Sequence, residues 1–202
     1  MVGLCPYMPR KLREEEPGAF VHVFARGNNR QRIFLGDEDR ELYLTGLAHV
    51  VRRQEWSCLA YCLMHNHVHL LVQTPKPNLG AGMQRLHGMY AQEFNKRHRR
   101  CGHLFQGRFG GKRVKTDAQL MQTARYIALN PVEAGLCRRA EEWPWGSHAV
   151  ALNGRAPAWL DVPRLLGFFG MDGGEPRARY AEFVGDAIPS GRRVDLRRAL
   201  PT

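Results

Sequence analysis

Residues 57–73 read SCLAYCLMHNHVHLLVQ, two short apolar runs separated by a few polar residues. The connection is too short for anything but a tight turn, so the runs predict two antiparallel strands, over 57–64 and 67–73. Side chains alternate along a strand, and His67 and His69 therefore project from the same face, within reach of one metal ion. Two hydrogen-bonded histidines near the end of a sheet are the alternative interpretation of this pattern.

The sequence on both sides predicts the other elements of an α+β domain. Alternation over 19–26 predicts a strand, and a further strand passes through 113–115. Helical spacing of apolar residues predicts three helices, whose capping residues are Asp37, Asn78 and Asp117. The third helix is expected to stop before Pro131. The order β-α-β-β-α-β-α predicts a central antiparallel sheet with helices packed on it.

Composition divides the chain into three segments. Gly, Pro and Ala become frequent just after the main domain, which we assign to 1–152. Two short helices, over 162–169 and 178–187, form a helical extension that occupies 153–188. The last residues, 189–202, are basic and have no core-forming pattern, so we expect a flexible tail.

The chain is strongly basic. Its 30 Lys and Arg against 19 Asp and Glu give a formal net charge of +11 over 202 residues. Eight of the basic residues and no acidic one fall within 95–115. This excess favours a polyanion as partner, because Lys and Arg neutralise phosphates and aromatic faces stack on unpaired bases. The other interpretation is a solvated basic face in which Phe105 and Phe109 belong to the core.

Several classes of protein are excluded by what the sequence lacks. No apolar run is long enough for a membrane span, and no apolar segment of a secretory signal follows the N-terminus. Five cysteines without a Cys-x-x-Cys pattern argue against a disulfide framework and a zinc knuckle, and they favour a cytoplasmic location. No Gly-x-x-x-x-Gly-Lys-Ser/Thr loop occurs, so we expect no nucleotide cofactor.

The third predicted helix carries a polar stripe beside its apolar one. Its members are Gln119, Gln122, Tyr126 and Asn130. Tyr126 and Asn130 are neighbours at i and i+4, so a phenol hydroxyl and an amide oxygen, a ligand for hard divalent ions, lie on one face. The alternative is a tyrosine at the rim of the fold and an asparagine that merely ends the helix.

Taken in order, these motifs resemble the single-tyrosine HUH transposases, and within them the REP-associated tyrosine transposase branch of the IS200-like transposases. The likeness rests on the His67-Val68-His69 pair followed by Tyr126-Ile-Ala-Leu-Asn-Pro-Val-Glu-Ala-Gly-Leu136. Further matching stretches are Met8-Pro-Arg10, Pro17-Gly18, His22-Val23, Arg26-Gly27-Asn28, Gly102-His-Leu-Phe-Gln-Gly-Arg-Phe109 and Trp143-Pro-Trp-Gly-Ser147. The histidine pair alone is weakly specific, whereas the ordered series is specific.

The resemblance implies an HUH, ferredoxin-like nuclease fold and a reaction. His67, His69 and Asn130 would bind Mg²⁺ or Mn²⁺, and Tyr126 would be the nucleophile. In this family the tyrosine attacks single-stranded DNA beside a hairpin, forms a 5′-phosphotyrosine bond and frees a 3′-hydroxyl. The implied partner is single-stranded DNA with a REP-like hairpin, the location the nucleoid in the cytoplasm, and the state a monomer or a homodimer.

Two ligand assignments stay open at this stage. His65 is a third histidine with the same strand parity as His67 and His69, and it could be a spare ligand, a proton carrier or a turn residue. Gln122, one turn before Tyr126, could replace Asn130 as the oxygen ligand. The family places this ligand four residues after the tyrosine, so we prefer Asn130.

Contacts to DNA are expected in the basic segment and at the end of the first strand. The candidates are Arg26, Arg30, Arg97, Arg99, Arg100, Gln106, Arg108, Lys112, Arg113 and Lys115. Both basic chain ends could add to them, through Arg10, Lys11, Arg13 and the C-terminal arginines. Two alternatives to the joining enzyme remain: a domesticated nucleic-acid-binding protein without catalysis, and a metal phosphodiesterase that uses water.

Overall fold

The computed structural model describes residues 15–170 and 175–186. The main domain runs through β1 (Ala19–Arg26), α1 (Asp37–Gln54), β2 (Ser57–Leu63), β3 (His67–Thr74), α2 (Leu79–Arg97), β4 (Gly110–Val114) and α3 (Asp117–Glu133). The shorter helices α4 (Ser147–Asn153), α5 (Val162–Gly167) and α6 (Pro176–Gly185) follow. The predicted order β-α-β-β-α-β-α is confirmed through α3.

The four strands form one antiparallel sheet in the order β2-β3-β1-β4. This is the βαββαβ arrangement of ferredoxin-like domains, with β3 and β1 in the centre. The predicted α+β fold with a central antiparallel sheet is therefore confirmed. In the register of β1 and β3, Arg26 lies opposite His67 and Phe24 lies opposite His69. The histidine strand thus lies in the middle of the sheet, against β1.

One face of β3 is apolar and buried, and the other carries the histidine pair. Val68, Leu70 and Val72 have no exposed surface, and their side chains alternate with the histidines. Helix α3 contacts β2 and β3, while α1 and α2 pack against each other. The face of β3 that carries His67 and His69 therefore meets the helix that carries the predicted polar stripe.

The helix caps differ from the prediction at two of three positions. Helix α1 is capped by Gly36 instead of Asp37, and the Asp39 carboxylate accepts the Leu35 N–H at 2.8 Å. Helix α3 is capped by Thr116, whose hydroxyl accepts the Gln119 N–H at 3.2 Å, and not by Asp117. In both places several polar residues compete for one short segment of backbone, which periodicity alone does not resolve.

Pro131 does not end α3, contrary to the prediction. The helix continues to Glu133, and Gly135 follows with a φ of 71°. A proline lacks the N–H that an interior helical residue donates, but here it lies in the last turn, where little helix remains to be disrupted. The Asn130 carbonyl accepts the Ala134 N–H at 3.0 Å. Asn130 is consequently held in regular helix, one turn from Tyr126.

The C-terminal helices pack on the main domain. Helix α5 contacts β2, and α6 contacts α3 and α5. The guanidinium of Arg125 in α3 lies 4.3 Å from the ring centroid of Phe183 in α6 and donates to its carbonyl at 3.4 Å. The assigned boundaries at residues 152 and 188 stay predictions. The basic tail over 189–202, together with Arg10, Lys11 and Arg13, lies outside the described residues.

Two expectations from composition concern membranes and thiols. No helix in the described part of the chain has the length and apolar character to cross a membrane. Within that same part, Cys58, Cys62, Cys101 and Cys137 all carry free thiols. Three of these cysteines are buried, and burial raises the pKa of the Cys137 thiol to about 11, so it is protonated and unreactive at neutral pH.

Candidate active site

The histidine pair of β3 and the tyrosine of α3 come together in one chain. The rings of His67 and His69 lie 5.0 Å apart between centroids and are perpendicular. The ring of Tyr126 lies 5.4 Å from that of His69, edge to face. The phenol therefore lies beside the imidazoles without any contribution from a second copy of the chain.

A hydrogen-bond network defines which nitrogen of His67 is free. The Asn66 side-chain N–H donates to the Arg30 carbonyl at 2.9 Å, which turns the Asn66 Oδ1 toward the imidazole. Nδ1 of His67 lies 2.7 Å from this oxygen. An amide oxygen only accepts, so Nδ1 carries the proton and Nε2 keeps its lone pair. His67 thus has the tautomer of a metal ligand that binds through Nε2.

Asn130 presents its amide oxygen to the same place. Its Nδ2 donates to the Tyr126 carbonyl at 2.9 Å, so Oδ1 points away from the helix backbone. The Asn130 side chain also interacts with the His67 imidazole and opposes the lowering of the His67 pKa. Nδ1 of His67 is bound to Asn66, so the lone pair of His67 Nε2 and the amide oxygen of Asn130 both face the cleft. A cation satisfies two such acceptors together.

Burial keeps both histidines neutral. Desolvation, followed by the charges of His67, His22 and Arg26, lowers the pKa of His69 to about 3. Desolvation and the charge of Arg26 also lower the pKa of His67. Neutral imidazole is the form that binds metal, so the pair is ready to act as ligands at neutral pH.

The remaining donors fit a divalent cation. Within the described residues, no three His, Cys, Asp or Glu side chains cluster closely enough to hold a metal ion, so a third ligand beside the histidine pair would have to be of another type. Asn130 lines the same cleft as His67 and His69 and supplies an amide oxygen. Gln122 also lines the cleft, but its oxygen accepts from Arg125. The geometry therefore favours the set His67, His69 and Asn130.

His65 adopts the last of its three predicted roles, that of a turn residue. Strand β3 begins at His67, so His65 does not share the alternation of the pair. Its Nδ1 accepts from Nη2 of Arg40 at 2.9 Å, and its carbonyl accepts the N–H groups of Ile33 and Phe34. His65 thus anchors the turn before the histidine strand to the start of α1.

A cleft of about 1150 Å³ opens over these groups, and Tyr126 is 44% exposed in it. Four of the predicted DNA-binding residues line the cleft, namely Arg26, Gln106, Lys112 and Arg113. Arg113 also pairs with Glu16 at the edge of the sheet. Positive charge therefore borders the phenol, where a phosphate backbone would pass.

The other predicted DNA-binding residues lie elsewhere. Arg97 pairs with Glu38 at 3.3 Å and Asp39 at 3.5 Å, and Arg100 donates to Gln31 at 2.7 Å. Arg108 lines a separate groove between α2 and the loop that follows it. Arg30, Arg99 and Lys115 are exposed but do not line the cleft. The basic segment of 95–115 is thus divided between several surfaces.

The two phenylalanines of this segment belong to the core. Phe109 is buried, and Phe105 stacks on His87 at 4.2 Å between centroids and closes a bridge to Gly27. Both residues pack against the core, as the alternative interpretation of this segment expects.

Two residues of the site were not among the predicted ones. Asn66 was treated only as part of the turn. His22 was named as a member of the β1 alternation and of a stretch that matches the family, without a role in the site. His22 lines the cleft, with Nε2 2.9 Å from Nδ1 of His69. Alternation placed His22 on one face of a strand, but only the register of β1 against β3 and β4 identifies that face as the one with the histidine pair.

A comparison with known proteins decides the family. The model of the family described as "Transposase IS200 like" matches residues 18–130, more than half of the chain. The match includes His67, His69 and Tyr126 and ends at Asn130. The chain belongs to the IS200-like transposases. The resemblance that the motifs carry is thereby confirmed.

Individual relatives of this IS200-like transposase indicate the branch. It is 25% identical over 131 residues to a protein of Haemophilus influenzae (strain Rd) that is named as a REP-associated tyrosine transposase. The aligned region covers 59% of this chain and 73% of that protein. It is also similar to the solved structure of a REP-associated tyrosine transposase bound to a REP hairpin. The TM-score is 0.61 at 16% identity, over 74% of this chain and 89% of the other. At this identity the likeness shows the fold.

Proposed function

We propose that this IS200-like transposase cleaves and rejoins single-stranded DNA beside a REP-like hairpin through a 5′-phosphotyrosine intermediate. The observation that carries the proposal is the 5.4 Å separation between the rings of Tyr126 and His69 within one chain. A nucleophile and a candidate metal site that face one cleft can act on one phosphate. The same observation supports action by a monomer, with the tyrosine in cis.

The chemistry follows from the position of Tyr126. Attack of its oxygen on phosphorus forms the bond between tyrosine and the 5′-phosphate and breaks the bond from phosphorus to the 3′ oxygen. The phenol proton passes to solvent, and the departing 3′ oxygen takes up a proton. In rejoining, a 3′-hydroxyl attacks the same phosphorus and releases the phenol. Each step exchanges one phosphodiester for another, so no nucleotide cofactor is consumed.

A phenol is a weak nucleophile at neutral pH. Its attack requires that it be positioned against the phosphate and that positive charge lie beside the phosphate oxygens. His67, His69 and Asn130 would hold Mg²⁺ or Mn²⁺. The bound cation would supply positive charge to the phosphate oxygens as negative charge develops there. Arg26 and Lys112 would hold the backbone phosphates on either side. The cleft excludes part of the solvent, which strengthens these interactions.

The DNA partner follows from the family and from the neighbouring structure, whose protein is described as bound to a REP hairpin. The charge of +11 supports a nucleic-acid partner. A transposase that acts on such DNA would work in the cytoplasm, on the nucleoid. Hairpin recognition would use the basic surfaces outside the cleft. The exposed Arg99 and the Arg108 groove are available for it.

The test is the covalent adduct. A labelled single-stranded oligonucleotide carrying a REP-like hairpin from the flanking DNA is incubated with Mn²⁺, and the adduct is followed on denaturing gels. Tyr126→Phe should remove it completely, because Tyr126 is the tyrosine that lines the cleft among the described residues. Tyr61→Phe, a buried tyrosine that packs on Trp159, should leave it unchanged.

Two other results would replace the proposal. Cleavage that survives Tyr126→Phe would indicate a phosphodiesterase that uses water. Salt-sensitive binding that is indifferent to chelator and to Tyr126→Phe, without cleavage of any hairpin, would indicate a binding protein that has lost the chemistry.

A further inference from the structure

His22 lies in the middle of the candidate active site and touches two of its members. It belongs to β1, where its neighbour Phe24 lies opposite His69 in the sheet. Its ring stacks on that of His69 at 5.1 Å, with 2.9 Å between Nε2 of His22 and Nδ1 of His69. Its ring also meets the edge of Tyr126 at 5.6 Å.

Two ring nitrogens at this distance share one hydrogen. One of them donates and the other accepts, so neither has a lone pair left for a cation. His22 is therefore not a third imidazole ligand through Nε2, although it lines the same cleft. Its Nε2 serves His69 instead.

We propose that His22 is a positioning residue, which accepts the Nδ1–H of His69 and thereby directs the Nε2 lone pair of His69 to the metal. The inference rests on the proposed function, because it assigns metal binding to His67 and His69. A neutral imidazole has one proton, so a nitrogen that binds metal obliges the other to donate. His69 is only 6% exposed, so its acceptor comes from the protein and not from bulk solvent.

The arrangement repeats the one at His67. There the Nδ1–H is accepted by Asn66 at 2.7 Å, and here it is accepted by His22 at 2.9 Å. Both histidines would then bind the metal through Nε2, and the hydrogen bond at Nδ1 would hold each ring in place. The Asn66 acceptor comes from the turn before β3 and the His22 acceptor from the neighbouring strand, so the pair is fixed from two sides.

Two substitutions distinguish the role of the His22 hydrogen-bond acceptor from that of its ring. His22→Phe keeps a flat ring against Tyr126 and removes the acceptor, whereas His22→Gln keeps an acceptor oxygen near the position of Nε2. We expect Mn²⁺, titrated by the electron paramagnetic resonance of the free ion, to bind His22→Phe 10- to 100-fold more weakly than wild type. His22→Gln should stay within a few-fold of wild type.

The matched control is His148→Phe, which removes another buried histidine, far along the chain in α4. It should bind Mn²⁺ as wild type does, and thermal melting checks that every variant folds. Nitrogen-15 spectra of the histidines with Mg²⁺ supply an independent readout. They should show His69 protonated at Nδ1 in wild type and in His22→Gln, and a mixture of tautomers in His22→Phe.

The outcomes separate the two proposals. Equal Mn²⁺ affinity of His22→Phe and wild type overturns the positioning role, whatever the activity. A wild type that forms the Tyr126 adduct but binds no Mn²⁺ overturns it as well, while the joining chemistry survives. If Mn²⁺ binding follows the expected order but no adduct forms with any hairpin, the positioning role stands and the proposed function fails.

Discussion

The side-chain amide of Asn130 donates to the backbone carbonyl of Tyr126, with 2.9 Å between Nδ2 and the oxygen. This bond joins the candidate nucleophile to the candidate oxygen ligand across one turn of α3. It also determines the orientation of the amide, because a nitrogen bound to the helix leaves the oxygen for the cleft. A nucleophile and a ligand that share one helical turn have a fixed separation.

Asn130→Ala should weaken Mn²⁺ binding about 10- to 100-fold, since it removes the oxygen ligand while the backbone bonds of α3 remain. Gln122→Ala is the matched control on the same face of the helix, and it should leave the affinity unchanged. Titration of Mn²⁺ measures both. The reverse order, with Gln122→Ala the damaging change, would assign the ligand to Gln122.

Lys112 and Arg26 should contribute to DNA binding through phosphate contacts. Lys112→Gln or Arg26→Gln should lower the slope of log affinity against log salt by about 0.7, the value for one phosphate contact on a single strand. Arg97→Gln should change the slope less, because Arg97 already pairs with Glu38 and Asp39. Fluorescence anisotropy across a salt series measures the slopes. A larger change in slope from Arg97→Gln would indicate that the DNA backbone passes the end of α2 instead of the cleft.

The glycines of α2 offer a matched pair for stability. A Cβ on Gly82 would overlap the indole ring of Trp56, so Gly82→Ala should lower the free energy of unfolding by about 1–3 kcal/mol. A Cβ on Gly88 meets no heavy atom within 4 Å, so Gly88→Ala should raise it by up to about 1 kcal/mol. Urea titration compares the two. Equal effects would mean that the helix and indole are not in contact.

Buried histidines should make the fold sensitive to acid. Burial lowers the pKa of His148 from 6.5 to about 4, so the unfolded chain binds more protons between these values. The stability contributed by neutral His148 is therefore complete above pH 6.5 and is lost as the pH falls toward 4, by up to about 3 kcal/mol. His148→Phe should flatten the pH dependence of unfolding in this window.

The control for this pH effect is His49→Gln, which changes an exposed histidine of α1 and should preserve the slope. Urea titrations at pH 7.5 and pH 4.5 give the comparison. An unchanged slope in His148→Phe would assign the acid sensitivity to other groups.

Local periodicity was enough to predict the elements that build the site. The alternation of β3 placed His67 and His69 on one face, and the i, i+4 spacing placed Tyr126 and Asn130 together, because both patterns depend on a few neighbouring residues. The same kind of reasoning missed two of the three helix caps and the continuation of α3 through Pro131. These depend on competition between adjacent polar groups and on the cost of a proline in a last turn.

What the sequence did not predict are relations across the sheet. The role of His22 depends on the register of β1 with β3. The choice between the two interpretations of Phe105 depends on the packing of a loop against α2. The sequence left the role of His65 open between three possibilities, and the contact with Arg40, which holds it in the turn, decides between them. Contacts between residues that are tens of positions apart leave no periodic signal.

The contact between Arg125 and Phe183 links α3, the helix that carries the candidate nucleophile, to α6. Arg125 precedes Tyr126 directly, and the residues of α6 do not line the cleft. Substitutions in that outer helix therefore act on the segment that carries Tyr126 without touching the cleft itself. A shortened form of the protein would have to keep α6 in order to keep this contact.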